Sequence, residues 1–536
     1  MFNFLNKINK QEIITVSLIY GVFLVIGIIS FADYGISVDE WELRELGFSN
    51  LKYLMGIFFE NKANNLNYIL EIPELSDHLG THGAIFAMPM AYIEYIFNIT
   101  DSKIYYLVRH YFNHLIFLVS TFYLYKLIKL RFNNWIYGLF GILFLFLTPR
   151  IFAESFYNHK DLIFLSLFVI NLYYGVKFLN NITLPNASLF ALTTALSIDI
   201  RIMGIIIIPT IIIPLLIKNL KNIKKIIYPH LTLYFFLLTL FTILFWPYLW
   251  ENPLINFLKV FQSLSAFPHT GYNFYLGKYI LASYLPWHYV PVWILISTPP
   301  LYLFLFFFGI IPFAAKILRQ KNYIEIFNNN LFTEDLIYFI LILFPIILVI
   351  VLNSTLYNGW RHLFFIYPCI IIFSIKGLHF IKINLFKNKK WVCEITTALL
   401  LIPISISMLK MHPHQNVYFN FIAGSDIEKK FEMDYWGLSN KQAFEIILKK
   451  DNKKIIKIGS AGPISLENSK KILENKSRER ISITANAEAD YVIDNYINWH
   501  GKYKKERHQI PKNFKKFDEI IVNKIKILTI YKKNNK

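Results

Sequence analysis

The stretch LIYFILILFPIILVIV, residues 336–351, runs without a single charged side chain. It has counterparts at Ile13–Ile29, Leu162–Tyr173 and Phe235–Phe245. A bilayer core of about 30 Å asks for roughly 20 apolar residues per helix, and these runs approach that length. Composition agrees: 55% of the chain is hydrophobic and only 17% charged, where a soluble protein carries about a quarter. A collapsed core cannot hide so many apolar runs, so lipid must cover them. The two cysteines, Cys369 and Cys393, fall in or beside apolar segments. That excludes a disulfide framework and a thiolate metal site. The first apolar segment starts near residue 12, after Lys7 and Lys10, and reaches Asp33–Glu45 without a small-residue cleavage site; it reads as a retained helix.

Working outward from these runs, spans are expected near 12–31, 104–127, 134–149, 161–178, 185–198, 202–217, 229–247, 289–315, 335–353, 361–378 and 392–410. The connections alternate in charge. Lys126–Arg131, Lys218–Lys225, Lys316–Lys321 and Lys382–Lys390 are short and basic, as cytoplasmic loops are. The other set contains Asp39–Glu40, Arg150–Lys160, Asp199–Arg201, Trp246–His288, Leu356–His362 and the tail. About eleven spans follow, with the N-terminus cytoplasmic and the tail outside, in a cell (inner) membrane. His82–Thr100 is apolar, but counting it as a span would put Lys126, Lys129 and Arg131 outside; it is expected to lie in the interface. The pieces 185–198 and 202–217 are short and suit a bent or re-entrant hairpin lining a polar cavity.

The expected fold is an all-α polytopic membrane domain over 1–410, with a first outer loop at 32–103, followed by a small extracytoplasmic α/β domain at 411–536. In the tail, Lys454–Gly459, Ala489–Asp494 and Glu519–Tyr531 read as strands, with Lys441–Lys450 a helix. Half of the net charge of +20 sits there, as 25 Lys/Arg against 15 Asp/Glu from Met411 onward. A basic domain resting on anionic membrane lipids accounts for it. Nucleic-acid binding would ask for stacking aromatics interleaved with the basic residues, and is not expected.

The residues suited to chemistry gather on one face. Ser37-Val38-Asp39-Glu40 places two carboxylates at a helix exit, fit for a general base or a cation site, or simply a solvated cap. Thr148-Pro149-Arg150 leads to Asn158-His159-Lys160-Asp161. Arg150 and Lys160 could hold phosphate oxygens, while Asp161 suits a helix N-terminus. Asp199 and Arg201 interrupt an apolar stretch, where ionisable residues are costly and face a cavity or each other. Arg361 and His362, in Tyr357-Asn358-Gly359-Trp360-Arg361-His362, put positive charge in an outside loop, which a bound anion would explain. His82, His288, Tyr357 and His412 are candidates for lining the substrate. No histidine spacing indicates a metal motif.

In order, these motifs resemble the GT-C type of lipid-linked-sugar glycosyltransferases, in the broad protein-mannosyltransferase and aminoarabinose-transferase family (glycosyltransferase family 39-like). The similarity covers most of the chain. It begins at Asp39-Glu40 in a long first outer loop and continues through His82–Thr100, Arg109 and Ser120–Phe132. Leu147–Arg150 and Asn158–Asp161 match a second outer loop ending in Asp, and Tyr357–His362, Met411–Asn420 and Asp434-Tyr435-Trp436-Gly437 match patterns of bacterial members. The resemblance implies a polyprenyl-phosphate-sugar donor, inversion at the anomeric carbon, and a first-loop carboxylate as base, here Asp39 supported by Glu40 and Asp161. Arg150, Lys160, Arg201, Arg361 and His362, read from their charge and position, are expected around the donor phosphate. The acceptor, whether lipid, glycan or protein, stays open, as does a divalent cation (Mg or Mn), whose ligands would be Asp39, Glu40 and Asp161. A transporter or lipid-linked-glycan flippase and a surface-polysaccharide ligase are the competing readings.

Overall fold

The computed structural model describes residues 10–59, 72–75, 80–220, 228–265, 270–319, 327, 329–387, 389, 391–499 and 510–534. Of the basic connections, residues 221–225, Lys321 and Lys390 lie outside the described residues, as does part of the first outer loop. The chain opens with α1 (Lys10–Ser30), α2 (Glu40–Phe58), α3 (Ala87–Ile96) and α4 (Ser102–Phe132). Next come α5 (Trp135–Phe146), α6 (Pro149–Tyr157), α7 (Asp161–Asn180), α8 (Leu184–Ile200) and α9 (Ile207–Lys218). After α10 (Tyr228–Phe245) and α11 (Pro253–Ser265) a hairpin of β1 (Tyr272–Tyr275) and β2 (Lys278–Leu281) precedes α12 (Tyr289–Ser297). The helical part closes with α13 (Pro300–Arg319), α14 (Asn330–Val351), α15 (Tyr367–Asn384) and α16 (Val392–Met411).

Among the described residues, seven helices are long and apolar enough to cross a membrane: α1, α7, α10, α13, α14, α15 with the 3-10 turn before it, and α16. The pair α5 and α6 makes an eighth if its 68° bend is one broken span. Helices α8 and α9 are apolar but shorter. The chain is a multi-pass membrane protein. Helices α7 and α15 sit inside the bundle, whereas α1, α10 and α16 leave side chains such as Leu18, Phe236 and Leu409 exposed; the apolar composition of these faces is that of lipid-covered helices.

Three expected spans differ in form. The 289–315 segment is two helices, broken at Thr298-Pro299-Pro300, because proline lacks the N–H that would continue the first helix. The 134–149 segment stops at Phe146 and turns into α6 at Pro149. In the 202–217 segment, a 3-10 turn over Ile202–Ile206 leads into α9. His82–Thr100 contains only the ten-residue α3, about 15 Å long and half a bilayer core. Helices α13 and α15 pack closely at Gly309 and Gly377. A Cβ at either position would collide with a backbone carbonyl, of Phe373 or Leu305; small residues give membrane helices this approach.

The C-terminal region folds as α17 (Ser439–Lys450), β3 (Ile456–Ser460), two short helices α18 (Leu466–Ser469) and α19 (Asn475–Glu479), then β4 (Ile481–Ile483), β5 (Tyr491–Asp494), β6 (Phe514–Val522) and β7 (Ile525–Lys533). The sheet order is β4-β3-β5-β7-β6. The first three strands are mutually parallel, and β7 and β6 join antiparallel. The apolar burst expected as one strand at Glu519–Tyr531 is the hairpin β6–β7. It turns at Asn523-Lys524, both at positive φ, the backbone a two-residue hairpin loop needs.

Candidate active site

The two ends of the bundle differ in charge chemistry. At one end Arg131 of α4 donates to Asp335 of α14 at 2.8 Å, Lys376 of α15 donates to the same carboxylate at 2.6 Å, and Asn180 closes α7 on Glu334 at 2.7 Å. At the opposite end lie the start of α7, the end of α8, the last turn of α14 and the 3-10 turn Arg361–Ile366. There a cavity of about 320 Å³ is lined by Asp39, Lys160, Arg201, Arg361, His362 and Tyr357 on its polar side. Phe261, Met203, Leu348 and Leu352 make its apolar side. Its volume falls in the range of small-molecule pockets, roughly 300–1,000 Å³.

Each polar residue is set by a break in secondary structure. Asp39 directly precedes α2, and Asp161 is the first residue of α7. Asn158 fixes the turn before α7: its Oδ1 accepts from the Asp161 N–H at 2.9 Å and its Nδ2 donates to Asp161 Oδ2 at 3.1 Å. Arg201 ends α8 in extended backbone, which turns its guanidinium away from Asp199 and onto Asp161. Arg361 completes the chain of charge. Its Nη1 donates to Asp39 Oδ2 at 2.8 Å and to Asp161 Oδ2 at 3.3 Å. Its guanidinium carbon lies 4.5 Å from the Trp436 ring centre, 5.1 Å from Tyr357 and 5.3 Å from Tyr435. Cation–π contact with these rings holds the charge without neutralising it. Behind them Asn358 donates to Glu432 at 2.6 Å, and burial pushes the Glu432 carboxyl up to about 7.

Of the residues singled out in the sequence, Asp39, Lys160, Arg201, Arg361, His362, His82 and Tyr357 share this cavity. Asp161 stands directly behind it, buried. Glu40 does not face the cavity. As the next residue on the first turn of α2 it points elsewhere, to His110 at 2.9 Å. Arg150 is outside as well. The bend at Pro149 carries it to the Tyr418 carbonyl, to which Nε donates at 2.9 Å, and between the Phe419 and Trp293 rings. His288 bonds the Tyr275 hydroxyl at 2.7 Å, and His412 pairs with Asp33 at 2.7 Å at the exit of α1.

Asp199 lines the cavity. Its Oδ1 accepts from the Ile85 N–H at 2.9 Å, and Oδ2 has no hydrogen-bond partner among the described residues. A Cβ at Gly83 would strike the Asp199 carbonyl, so glycine is what lets the His82 loop close over the end of α8. Sequence reading missed Glu42 at the cavity wall and the aromatic cage on Arg361. The latter was legible only as the turn Asp434-Tyr435-Trp436-Gly437, where Asp434 accepts from Ser439 N–H at 2.8 Å and Gly437 takes φ +72°.

Asp39, Glu40 and Asp161 do not fit a divalent cation as one ligand set. The Arg361 guanidinium occupies the place between Asp39 and Asp161, and Glu40 turns away from both.

No family model and no curated protein sequence matches the chain. Among solved structures it is similar to the Archaeoglobus fulgidus oligosaccharyltransferase in complex with Zn and sulfate, at 10% identity over 77% of this chain and 59% of that one, with a TM-score of 0.43. The chain thus spans less than two thirds of that protein's length. It is similar to the archaeal oligosaccharyltransferase AglB from Archaeoglobus fulgidus in complex with an inhibitory peptide and a dolichol-phosphate, at 11% identity over 88% of this chain and 69% of that one, TM-score 0.47. Along 96% of its own length and 97% of the other's it is similar to ArnT from Cupriavidus metallidurans bound to undecaprenyl phosphate, at 10% identity and a TM-score of 0.48.

Proposed function

We propose that this protein is a membrane glycosyltransferase of the GT-C kind, moving a sugar from a polyprenyl-phosphate carrier to a hydroxyl or amine of an acceptor. The observation that carries the reading is the run Asp39–Arg361–Asp161–Arg201 beside a cavity with one polar and one apolar side at one end of the bundle. Asp39 takes the acceptor proton as the acceptor atom attacks the anomeric carbon. The bond from that carbon to the phosphate oxygen breaks, and its electron pair leaves with the phosphate. Attack from the side opposite the leaving group inverts the anomeric centre. Arg201, Lys160 and Arg361 stabilise the charge that develops on the departing phosphate, a type of term that is commonly the largest in catalysis. Asp161 receives nothing from the substrate; it holds two guanidiniums in place. A surface-polysaccharide ligase would use the same residues on a pyrophosphate-linked donor, and analysis of the released carrier separates the two.

Mass spectrometry of lipids purified with the chain tests the reading. Polyprenyl phosphate, free or bearing a sugar, is the expected companion. A chain that carries none and takes up none from added undecaprenyl phosphate removes it.

We also place the cavity on the extracytoplasmic face. The polar cavity and the basic cluster of Arg131, Lys376 and Lys218 occupy opposite ends of the same helices, and basic ends stay in the cytoplasm. Residues 1–410 then form the catalytic membrane unit. The domain at 411–536 lies outside and packs Tyr435 and Trp436 against Arg361. Tyr284 and Leu318, both well exposed, lie at opposite ends. A membrane-impermeant maleimide applied to intact cells should label Tyr284→Cys and spare Leu318→Cys. The reverse pattern overturns the orientation.

A further inference from the structure

Behind Asp39, on the far side of the first turn of α2, three side chains meet that the transfer step does not use. Glu40, His110 of α4 and His159 are all buried, at 0%, 0% and 4% exposure. One ligand atom from each lies within 4.8 Å of the other two. Glu40 Oε2 is 2.9 Å from His110 Nε2 and 3.9 Å from His159 Nε2. Two ligands of a tetrahedral zinc ion, each about 2.1 Å from the metal, lie roughly 3.4 Å apart, and the observed separations bracket that figure.

The hydrogen-bond accounting points the same way. His110 Nδ1 faces the carbonyl oxygen of Phe31 at 3.2 Å. A carbonyl only accepts, so Nδ1 donates to it, and Nε2 is the nitrogen turned toward Glu40. His159 repeats the pattern: the Phe156 backbone accepts from its ring, and Nε2 is buried with no hydrogen-bond partner among the described residues. Two imidazoles, each pinned through one nitrogen by a backbone carbonyl and aiming the other at one carboxylate, match the way protein metal sites orient histidine.

Among the described residues no Lys or Arg forms a salt bridge with Glu40, because Arg44 and Arg109 are both engaged by Glu94. Its Oε1 accepts from the Ser37 N–H at 2.7 Å, which leaves Oε2 to the two histidines.

We propose that Glu40, His110 and His159 bind a divalent transition-metal ion of the zinc class, which ties the first outer loop, α4 and the second outer loop together behind the cavity. Glu40 adjoins Asp39 and His159 adjoins Lys160, so the ion positions both; this positioning role, though not the binding, rests on the function proposed above. Imidazole nitrogen with one carboxylate oxygen suits zinc better than calcium or magnesium, which favour all-oxygen sites.

The test uses the full chain purified without chelators or a histidine tag. Elemental analysis should find about one zinc-class ion per chain. After removal with dipicolinate, the chain should melt several degrees lower, and Co(II) should restore the melting point and give visible d–d bands. His110→Gln and His159→Gln should each weaken Co(II) binding by tenfold or more. If either variant fails to fold, the Co(II) spectrum of the unaltered chain decides alone. A chain with no bound metal, no Co(II) bands and an unchanged melting point overturns the proposal and leaves a protonated His110–Glu40 ion pair in its place. Uptake of polyprenyl phosphate is read separately: a chain that takes up the lipid but no Co(II) overturns the metal site alone, and one that takes up Co(II) but no lipid supports the metal site while removing the transferase reading.

Discussion

Asp39→Asn should lower sugar transfer from a polyprenyl-phosphate donor by about 10²–10⁴-fold, the range lost when a positioned general base is removed. The substitution changes little else. The Asp39 side chain is about one-third exposed (36%) and its one ion pair is with Arg361, whose N–H groups an amide oxygen still accepts. Arg361 keeps Asp161 and the Trp436 face, so no buried charge is stranded. The expected result is a chain that folds, melts within a few degrees of the original, and still binds polyprenyl phosphate, but forms almost no product. Transfer assays alongside thermal melts in detergent separate these effects. Full activity in the variant removes Asp39 as the base.

Much of this site was legible in the sequence because membrane proteins restrict where charge can go. Asp39, Asn158–Asp161, Asp199–Arg201 and Tyr357–His362 each stand at the end of an apolar run, and four ends on one face have little choice but to meet. Their pairing was not legible. Asp199 and Arg201, two residues apart, invite the reading that they bind each other. The break in α8 at Arg201 turns them apart, and Arg201 finds Asp161 instead. His110 carried no local signal at all, since a histidine in the middle of a long helix has the same sequence context whether it is core or ligand. The prolines do not all act alike. Pro312, Pro345 and Pro403 sit inside continuous helices, whereas Pro149 and Pro299-Pro300 mark breaks. Hydropathy alone does not tell these apart; what decides is whether neighbouring helices satisfy the freed carbonyls. The domain boundary hides a similar debt to tertiary structure, because Tyr435 and Trp436, placed by their sequence position in the tail, pack against Arg361 of the membrane part.

Arg361 is where charge and geometry come apart, and two substitutions separate them. Arg361→Lys keeps the charge but replaces a planar guanidinium, whose Nη1 bridges Asp39 and Asp161 while Nη2 donates to the Tyr435 hydroxyl, with a single point donor. A lysine ammonium cannot make all three contacts while lying flat against Trp436. Transfer should fall about 10²–10³-fold, as it does when one preorganised donor to a developing oxyanion is lost, with only a modest change in melting temperature. Arg361→Gln removes the charge as well. Asp161, 1% exposed, then keeps one of its two ion pairs, with Arg201, beside its hydrogen bonds with Asn158, and loss of a buried partner charge is destabilising. The Gln variant should therefore lose transfer and melt well below the Lys variant. The comparison is diagnostic because both changes delete the planar guanidinium, and only one deletes the charge. If Arg361→Lys transfers at the original rate, the planar guanidinium is irrelevant and Arg361 acts as a distant counter-charge. If both variants melt alike, the ion pair with Asp161 contributes nothing to the fold, and the chain of charge that orders the cavity is not what holds the loops in place.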